Sequence, residues 1–253
     1  MGLTVTAAST SSSAMVAAVI PERCLGVVMP VYNEGETLDR IVAKVLGRRE
    51  VGELIMVDDG STDGTWPRMR ELEKSDARIR IFRCEVNRGK GAALRRAVGH
   101  AVSEILVVQD ADLEYDPDDY PKLLLPILCG EADVVYGSRF QAAGVFGRSG
   151  FFHALGNKVL TRLSNLATGL NLTDMETCYK MFRRSVIERI RLREERFGFE
   201  PEFTAKVSKL GIPIREVAIT YRGRTYGDGK KIGWKDGVSA LRCILQYRFQ
   251  NSE

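Results

Sequence analysis

The chain has 253 residues, of which 44% are hydrophobic and 28% charged, and its 37 basic and 33 acidic residues give a net charge of +4. This length suits one large α/β domain, or one domain with a terminal extension, and the small net charge excludes the strongly basic balance of many nucleic-acid-binding proteins. Five dispersed cysteines without a CxxC pair indicate a reducing compartment rather than a disulfide or zinc framework.

The chain divides into three segments by composition. Residues 1–23 are rich in Ser, Thr and Ala and are predicted to be a disordered leader, residues 24–232 the main domain, and residues 233–253 an amphipathic helix and tail. No apolar run approaches the roughly 18 residues that a transmembrane helix needs. We therefore expect a cytoplasmic protein, at most peripheral at the cytoplasmic face of a membrane.

Apolar strands alternate with helical patterns over the first 140 residues. Strands are predicted at Leu25–Tyr32, Gly52–Ser61, Ala77–Cys84, Glu104–Asp112 and Ala132–Phe140, and helices at Glu36–Leu46, Thr65–Lys74, Ala92–Val102 and Pro117–Leu125. Continuous Val, Ile and Leu runs that alternate with helices are typical of buried parallel strands. The fold class is therefore predicted to be α/β, with a mostly parallel central sheet and helices on both faces.

The pattern changes after Phe140. Helices are predicted at Phe151–Thr168, Glu200–Leu210 and Gly233–Phe249, a strand in IPIREVAITY, and a short segment of LTDMETCYKMF against the sheet. The last helix carries Trp234, Val238, Leu241, Leu245 and Phe249 on one face.

Polar residues gather where the predicted strands end. They occur in PVYNE, DDGS, NRGKG and DAD, which follow the first four strands in turn. Ligands of open parallel sheets bind at the carboxyl ends of the strands, so these residues are expected to form one site for a metal, a sugar ring and phosphates. Asp110, Asp112 and Glu114 are spaced by two and project to one side of an extended chain, and their hard oxygens suit Mg²⁺ or Mn²⁺.

Each of these motifs alone also fits an ordinary turn or helix cap. Asp116, Asp118 and Asp119, in particular, are predicted to cap the next helix and to be solvated. Only the joint occurrence of the motifs, each at a strand end, favours function.

Together, PVYNEGETL, VDDGSTDGT, NRGKGAALRRAV, QDADLEYDPDDYPKLL and DVVYGSRF resemble the family 2 inverting glycosyltransferases. The resemblance is to the dolichol- and polyprenyl-phosphate sugar (mannose or glucose) synthases, and it runs from about Cys24 to at least Lys231. It implies a glycosyltransferase A-type catalytic domain, a UDP- or GDP-linked sugar donor, and a divalent metal bound at a DXD motif.

The resemblance also implies roles for individual residues. Asp110 and Asp112 would be the catalytic DXD pair that binds the metal, with Glu114 completing its coordination. The nucleotide-binding residues are expected to be Pro30, Tyr32, Glu34, Asp58, Asp59, Lys90 and Asp110.

A polyprenyl phosphate acceptor would require a site that binds and positions a phosphate group. A phosphate monoester with a second pKa near 6 is already largely ionised at neutral pH, so it needs positioning and charge compensation more than a base. Arginine binds phosphate with a bidentate fork. The expected acceptor-binding residues are Ser138, Arg139, Lys180, Arg222, Arg224 and Lys230, with Arg139 also counted as catalytic.

Alternatives remain open at this point. Transfer to a hydroxyl of a saccharide or small molecule would need a carboxylate base, for which Asp174, Glu176 and Glu200 are candidates. A non-catalytic nucleotide-sugar-binding domain is disfavoured because both DXD carboxylates are present, and an oxidoreductase because no GxGxxG follows the first strand. Cys178 stands where many members of the family have glycine, and is expected to pack rather than react. Peripheral membrane contact and a homodimer are further expectations.

Overall fold

The computed structural model describes residues 20–141, 151–196, 198–223 and 234–249. The predicted leader, apart from its last four residues, lies outside these ranges, as do Arg224 and Lys230. The strands are β1 Leu25–Val31, β2 Val51–Asp58, β3 Ile79–Arg83, β4 Ile105–Val108, β5 Val134–Ser138, β6 Lys180–Arg183 and β7 Ile214–Ala218.

The described helices lie between the strands along the chain and after the last strand. They are α1 Leu38–Leu46, α2 Thr65–Ser75, α3 Lys90–His100, α4 Tyr120–Leu128, α5 Phe151–Thr168, α6 Arg184–Ile187, α7 Phe199–Lys209 and α8 Trp234–Phe249, with a 3₁₀ turn at Pro117–Asp119 before α4. Within the described ranges, none of the helices combines the length and apolar character needed to span a bilayer.

The strands form one sheet in the order β3-β2-β1-β4-β6-β5-β7. All of them run in one direction except β6, which pairs antiparallel with both β4 and β5. The α/β class and the mostly parallel sheet are thus confirmed. The short segment predicted within LTDMETCYKMF is also confirmed, and it lies inside the sheet.

Apolar periodicity explains how the helices attach to the sheet. Helix α1 buries Leu38, Ile41, Val42 and Val45, a spacing that puts all four on one helical face. The strands β1, β2 and β4 are buried almost throughout, as expected for strands covered on both faces. This packing fixes the carboxyl ends of β1, β2 and β4 beside one another.

Two expectations near the site are corrected. Helix α3 begins at Lys90 rather than Ala92, so Lys90 and Gly91 belong to its first turn. Asp119 is buried rather than solvated, because its carboxylate accepts a hydrogen bond from Thr220 N and pairs with Lys122. Asp116, by contrast, does cap the 3₁₀ turn by accepting a hydrogen bond from Asp118 N.

Candidate active site

The loops that follow β1 and β2 are joined by hydrogen bonds. Asn33 N donates to Ser61 Oγ at 2.9 Å, and Glu34 N donates to Thr65 Oγ1 at 3.0 Å. Asn33 adopts a left-handed backbone conformation with φ 49°, which suits asparagine in a tight turn. The structure therefore brings the expected nucleotide-binding segment after β1 against the DDGS turn.

The acidic pair after β2 points into the protein. Asp58 is fully buried, accepts a hydrogen bond from Ser61 N at 3.0 Å and lies 3.1 Å from Arg83 Nε. Asp59 accepts hydrogen bonds from the backbone N–H groups of Arg88 and Gly89, and burial raises its pKa. Both carboxylates thus hold neighbouring loops in place, and their contact with a nucleotide stays a prediction.

Two glycines at the start of α3, Gly89 and Gly91, permit close backbone contact with the segment that precedes α7. Gly89 has φ 100°, and a Cβ there would lie 2.6 Å from the carbonyl oxygen of Glu195. Gly91 N donates to Arg196 O at 3.1 Å, and Ala92 N donates to Glu195 O at 2.9 Å. This contact sets the position of Lys90 relative to α7.

Lys90 lies between two carboxylates of different elements. Its Nζ is 2.9 Å from Asp110 Oδ1 after β4 and 3.0 Å from Glu200 Oε1 in the first turn of α7. Burial alone would lower the pKa of Lys90, but the negative charges around it, Asp110 first, raise that pKa well above its ordinary value. Lys90 therefore stays cationic and joins Asp110 to α7.

The DXD segment makes a tight turn. Asp112 Oδ1 accepts a hydrogen bond from Glu114 N at 3.0 Å, and Leu113 between them has φ 64°. Glu114 in turn accepts a hydrogen bond from Tyr221 Oη at 2.8 Å, and its carbonyl accepts one from Arg222 N at 2.9 Å. The turn is thus fixed by the chain that follows β7.

The carboxylates of the DXD segment fit a cation that is shared with substrate phosphates. In the part of the chain that the structure describes, no three His, Cys, Asp or Glu side chains are arranged to hold a metal ion by themselves. Mg²⁺ is commonly held by one or two carboxylates, with waters and substrate phosphates completing its octahedron. Asp110 and Asp112 match that set, whereas Glu114 is engaged by Tyr221.

Gln109 positions the DXD backbone and was not among the expected site residues. It is fully buried, its Nε2 donates to Asp110 O at 3.0 Å, and its Oε1 accepts hydrogen bonds from the hydroxyls of Tyr120 and Tyr179, each at 2.7 Å. A polar side chain at the end of an apolar strand was the signal for it in the sequence.

The end of β5 carries a buried ion pair. Arg139 Nε and Nη2 both donate to the carboxylate of Asp174 at 2.7 Å, and Arg139 N donates to the same group at 2.9 Å. Burial would lower the pKa of Arg139, but Asp174 holds it well above its ordinary value. Ser138 shares a hydrogen bond of 2.7 Å with Thr173 Oγ1, so the two segments are joined twice.

Lys180 is enclosed in the interior of the protein. It is fully buried, and its Nζ donates to the carbonyls of Met175 and Thr177 at 2.7 and 2.6 Å. Burial lowers its pKa to about 8. The expectation that Lys180 contacts the acceptor is therefore corrected, because its ammonium group donates hydrogen bonds to backbone carbonyls of the preceding turn.

Two carboxylates beneath the site retain an unsatisfied oxygen. Glu176 Oε1 and Glu200 Oε2 are buried and have no hydrogen-bond partner among the described residues. Burial, and then the charge of Glu200, raise the pKa of Glu176 to about 8. Cys178 is buried beside this group and packs, as expected, with a strongly raised thiol pKa caused mainly by burial.

Comparison with known proteins decides the family. The family model for glycosyl transferase family 2 matches residues 26–191. The chain belongs to glycosyl transferase family 2. The matched range contains the DXD segment, Lys90, Arg139 and Asp174, so the site described above falls almost entirely within the family domain.

Three curated relatives of this family 2 chain are each named as a synthase or transferase for a polyprenyl-type phosphate. The chain is 31% identical over 229 residues to polyprenol monophosphomannose synthase of Mycolicibacterium smegmatis, covering 86% of this chain and 84% of that protein. It is 30% identical to dodecaprenyl-phosphate galacturonate synthase of Rhizobium johnstonii (81% of this chain) and 28% identical to dolichol-phosphate mannosyltransferase of Pyrococcus furiosus (83% of this chain). The chain spans only 61% and 59% of those two proteins.

Solved structures confirm the glycosyltransferase A-type fold. Glucosyl-3-phosphoglycerate synthase of Mycobacterium tuberculosis, solved with Mn²⁺, UDP and glucosyl-3-phosphoglycerate, superposes with a TM-score of 0.70 at 21% identity, covering 97% of this chain and 86% of that one. A second structure of that enzyme, with Mn²⁺, UDP and phosphoglyceric acid, gives a TM-score of 0.71 at 22% identity over 93% of this chain and 82% of that one.

Proposed function

We propose that this glycosyltransferase moves a sugar, with inversion, from a UDP- or GDP-linked donor to a polyprenyl phosphate, in a reaction that requires Mg²⁺ or Mn²⁺. The names of three relatives, each a synthase or transferase for a polyprenyl-type phosphate, support the acceptor class. The Mn²⁺ and UDP bound to the M. tuberculosis enzyme are consistent with the donor and the metal.

One observation carries the acceptor assignment. Of the carboxylates that a hydroxyl acceptor would need as a base, Asp174 is bound to Arg139 and Glu200 to Lys90. Accepting a proton would cost either carboxylate the charge that binds its cation. A site in which these two of the three candidate bases are ion-paired suits an acceptor that arrives already ionised.

Each part of the site then has a task. Asp110 and Asp112 would hold the cation, which would neutralise charge on the departing nucleoside diphosphate. Lys90 holds Asp110 through the ion pair described above, and Gln109 fixes the backbone on which Asp110 lies. Arg222, whose side chain is exposed and whose N–H binds Glu114, offers a cation beside the DXD turn for the acceptor phosphate.

Matched acceptors test this assignment. A short polyprenyl phosphate and the polyprenol of the same length differ only in the phosphate, so both present the same apolar chain. We expect sugar transfer to the phosphate and none to the alcohol. Equal transfer to both, or transfer to the alcohol alone, would overturn the proposal.

Glu176 supports a second candidate, transfer to a hydroxyl. A carboxylate with a pKa near 8 and an unsatisfied oxygen has the proton affinity of a general base. In that case Glu176→Gln would lower turnover by about 10²–10⁴-fold, and wild-type turnover would rise with pH as Glu176 loses its proton. With a phosphate acceptor, Glu176→Gln keeps most of its activity. The pH profile of both proteins separates the two cases.

A further inference from the structure

Helices α5 and α8 expose apolar side chains in two stripes. On α5 the exposed residues Leu155, Val159 and Leu166 recur at one-turn or two-turn spacing, and on α8 Val238, Leu241, Leu245 and Phe249 do the same. Phe249 is 79% exposed and Leu166 76% exposed. Elsewhere in the described ranges, only two large hydrophobic side chains, Val86 and Val102, are comparably exposed.

The remaining exposed side chains of these stripes are basic. They are Lys158 and Arg162 on α5 and Arg242 and Arg248 on α8. Among the side chains described on the two helices, none of those exposed is acidic, and the sequence of α5 contains neither Asp nor Glu. We call the exposed apolar and basic residues of α5 and α8 the apolar–basic surface. The two helices pack against each other.

The apolar–basic surface borders the acceptor side of the site. Lys158 Nζ lies 5.2 Å from the centroid of the Phe140 ring, and Phe140 directly follows Arg139. Further along α5, Thr161 Oγ1 accepts a hydrogen bond of 3.1 Å from Met175 N, next to Asp174. Helix α5 is thus bound to both segments that form the Arg139–Asp174 ion pair.

We propose that the apolar–basic surface docks on an anionic lipid bilayer. Apolar side chains interspersed with Lys and Arg are the composition of helices that lie in a membrane interface, and each basic residue near an anionic surface adds about 1 kcal/mol of attraction. A second copy of the chain is the poorer occupant, because two faces that both carry these cations would repel. Docking would bring the acceptor side to headgroup level, an advantage that rests on the proposed function.

Vesicle sedimentation tests the docking without any donor or acceptor. We expect the wild-type chain to bind phosphatidylcholine vesicles that contain phosphatidylglycerol, to bind pure phosphatidylcholine much less, and to release from the anionic vesicles as salt is raised. Arg242→Gln with Arg248→Gln should weaken binding on the order of 30-fold. Val159→Glu with Leu245→Glu should abolish it.

Matched variants control for folding and for charge. Val102→Glu places an acid on an equally exposed apolar residue elsewhere, and Arg70→Gln with Lys74→Gln removes two exposed cations of α2. Both should bind anionic vesicles like wild type, and all variants should keep the wild-type melting temperature.

Three results would overturn the docking proposal. They are absence of wild-type binding to anionic vesicles at low salt, wild-type binding by Val159→Glu with Leu245→Glu, and a change in solution mass in that variant with no vesicle binding by the wild type. The last result would assign the surface to a second copy. Failure of the proposed function looks different: vesicle binding persists, but a short polyprenyl phosphate accepts no sugar.

Discussion

At the scale of single residues, the cation-binding role assigned to Asp112 gives a sharp prediction. Asp112→Asn keeps the shape of the side chain but removes its charge, so in the proposed reaction a divalent cation would lose a ligand where the nucleoside diphosphate departs. We expect turnover to fall by about 10²–10³-fold with an unchanged melting temperature. Release of nucleoside diphosphate measures the effect.

Asp118→Asn is the matched control for this substitution. Asp118 belongs to the same acidic stretch, but its side chain is 78% exposed and pairs with Arg48 on the surface. This variant should behave like wild type. Full activity in Asp112→Asn, or an equal loss in both variants, would contradict the assignment.

The ion pair between Arg139 and Asp174 predicts a stability effect. Asp174 is fully buried and Arg139 nearly so, so Asp174→Ala leaves an uncompensated buried guanidinium. The expected loss is about 3–5 kcal/mol in the free energy of unfolding, measured by urea denaturation. Asp133→Ala breaks the more exposed pair with Arg183 and should change stability by less than about 1 kcal/mol. Equal losses of stability in the two variants would show that burial does not decide the cost of breaking the ion pair.

The positions of some of these residues could be predicted from the sequence, whereas the contacts of others could not. Asp110 and Asp112 could be predicted because they directly follow an apolar strand, and parallel strands bring their ends to one edge. Lys180 was expected to contact the acceptor because lysine commonly binds phosphate. Its burial instead follows from the position of β6 inside the sheet. The partnership of Lys90 with Glu200 joins residues 110 positions apart, and no local pattern reveals it.

At the scale of elements, the approach of the loop before α3 to the segment before α7 depends on glycine. Gly89→Ala would force a side chain into the left-handed region and against the carbonyl of Glu195. We expect a loss of stability and a weaker hold on Lys90, seen as a lower melting temperature together with lower turnover.

For Gly99→Ala, within α3, we expect the opposite effect on stability. Gly99 lies within α3 with no atom within 4 Å of an added Cβ, so alanine should stabilise the helix by about 0.5–1 kcal/mol. If Gly89→Ala were equally harmless, the close approach would not be what positions α3.

The order of the strands was beyond reach of the sequence. Alternation of strands and helices indicated a parallel sheet, and that held for β1 to β5 and β7. The insertion of β6 between β4 and β5, antiparallel to both, depends on long-range pairing such as Leu106 with Phe182. Its sequence, KMFR, places two apolar residues between two basic ones and carries no sign of strand direction.

At the scale of the whole molecule, the parallel sheet brings the strand ends that form the candidate site to one edge. In the proposed reaction, residues after β1, β2 and β4 would bind the donor, while Arg139 and Arg222, after β5 and β7, would lie on the side of the acceptor phosphate. The apolar–basic surface continues from the segment that carries Arg139. The proposed transfer between a nucleotide and a membrane-bound phosphate requires these parts to lie close together.

The decisive measurement for the proposed reaction is the release of nucleoside diphosphate. UDP-glucose, UDP-N-acetylglucosamine and GDP-mannose would be compared with Mn²⁺ or a chelator, each with and without a polyprenyl phosphate. We expect turnover with at least one donor only when both the cation and the lipid phosphate are present. Turnover that persists in the chelator, or that ignores the lipid phosphate while responding to a hydroxyl acceptor, would contradict this expectation.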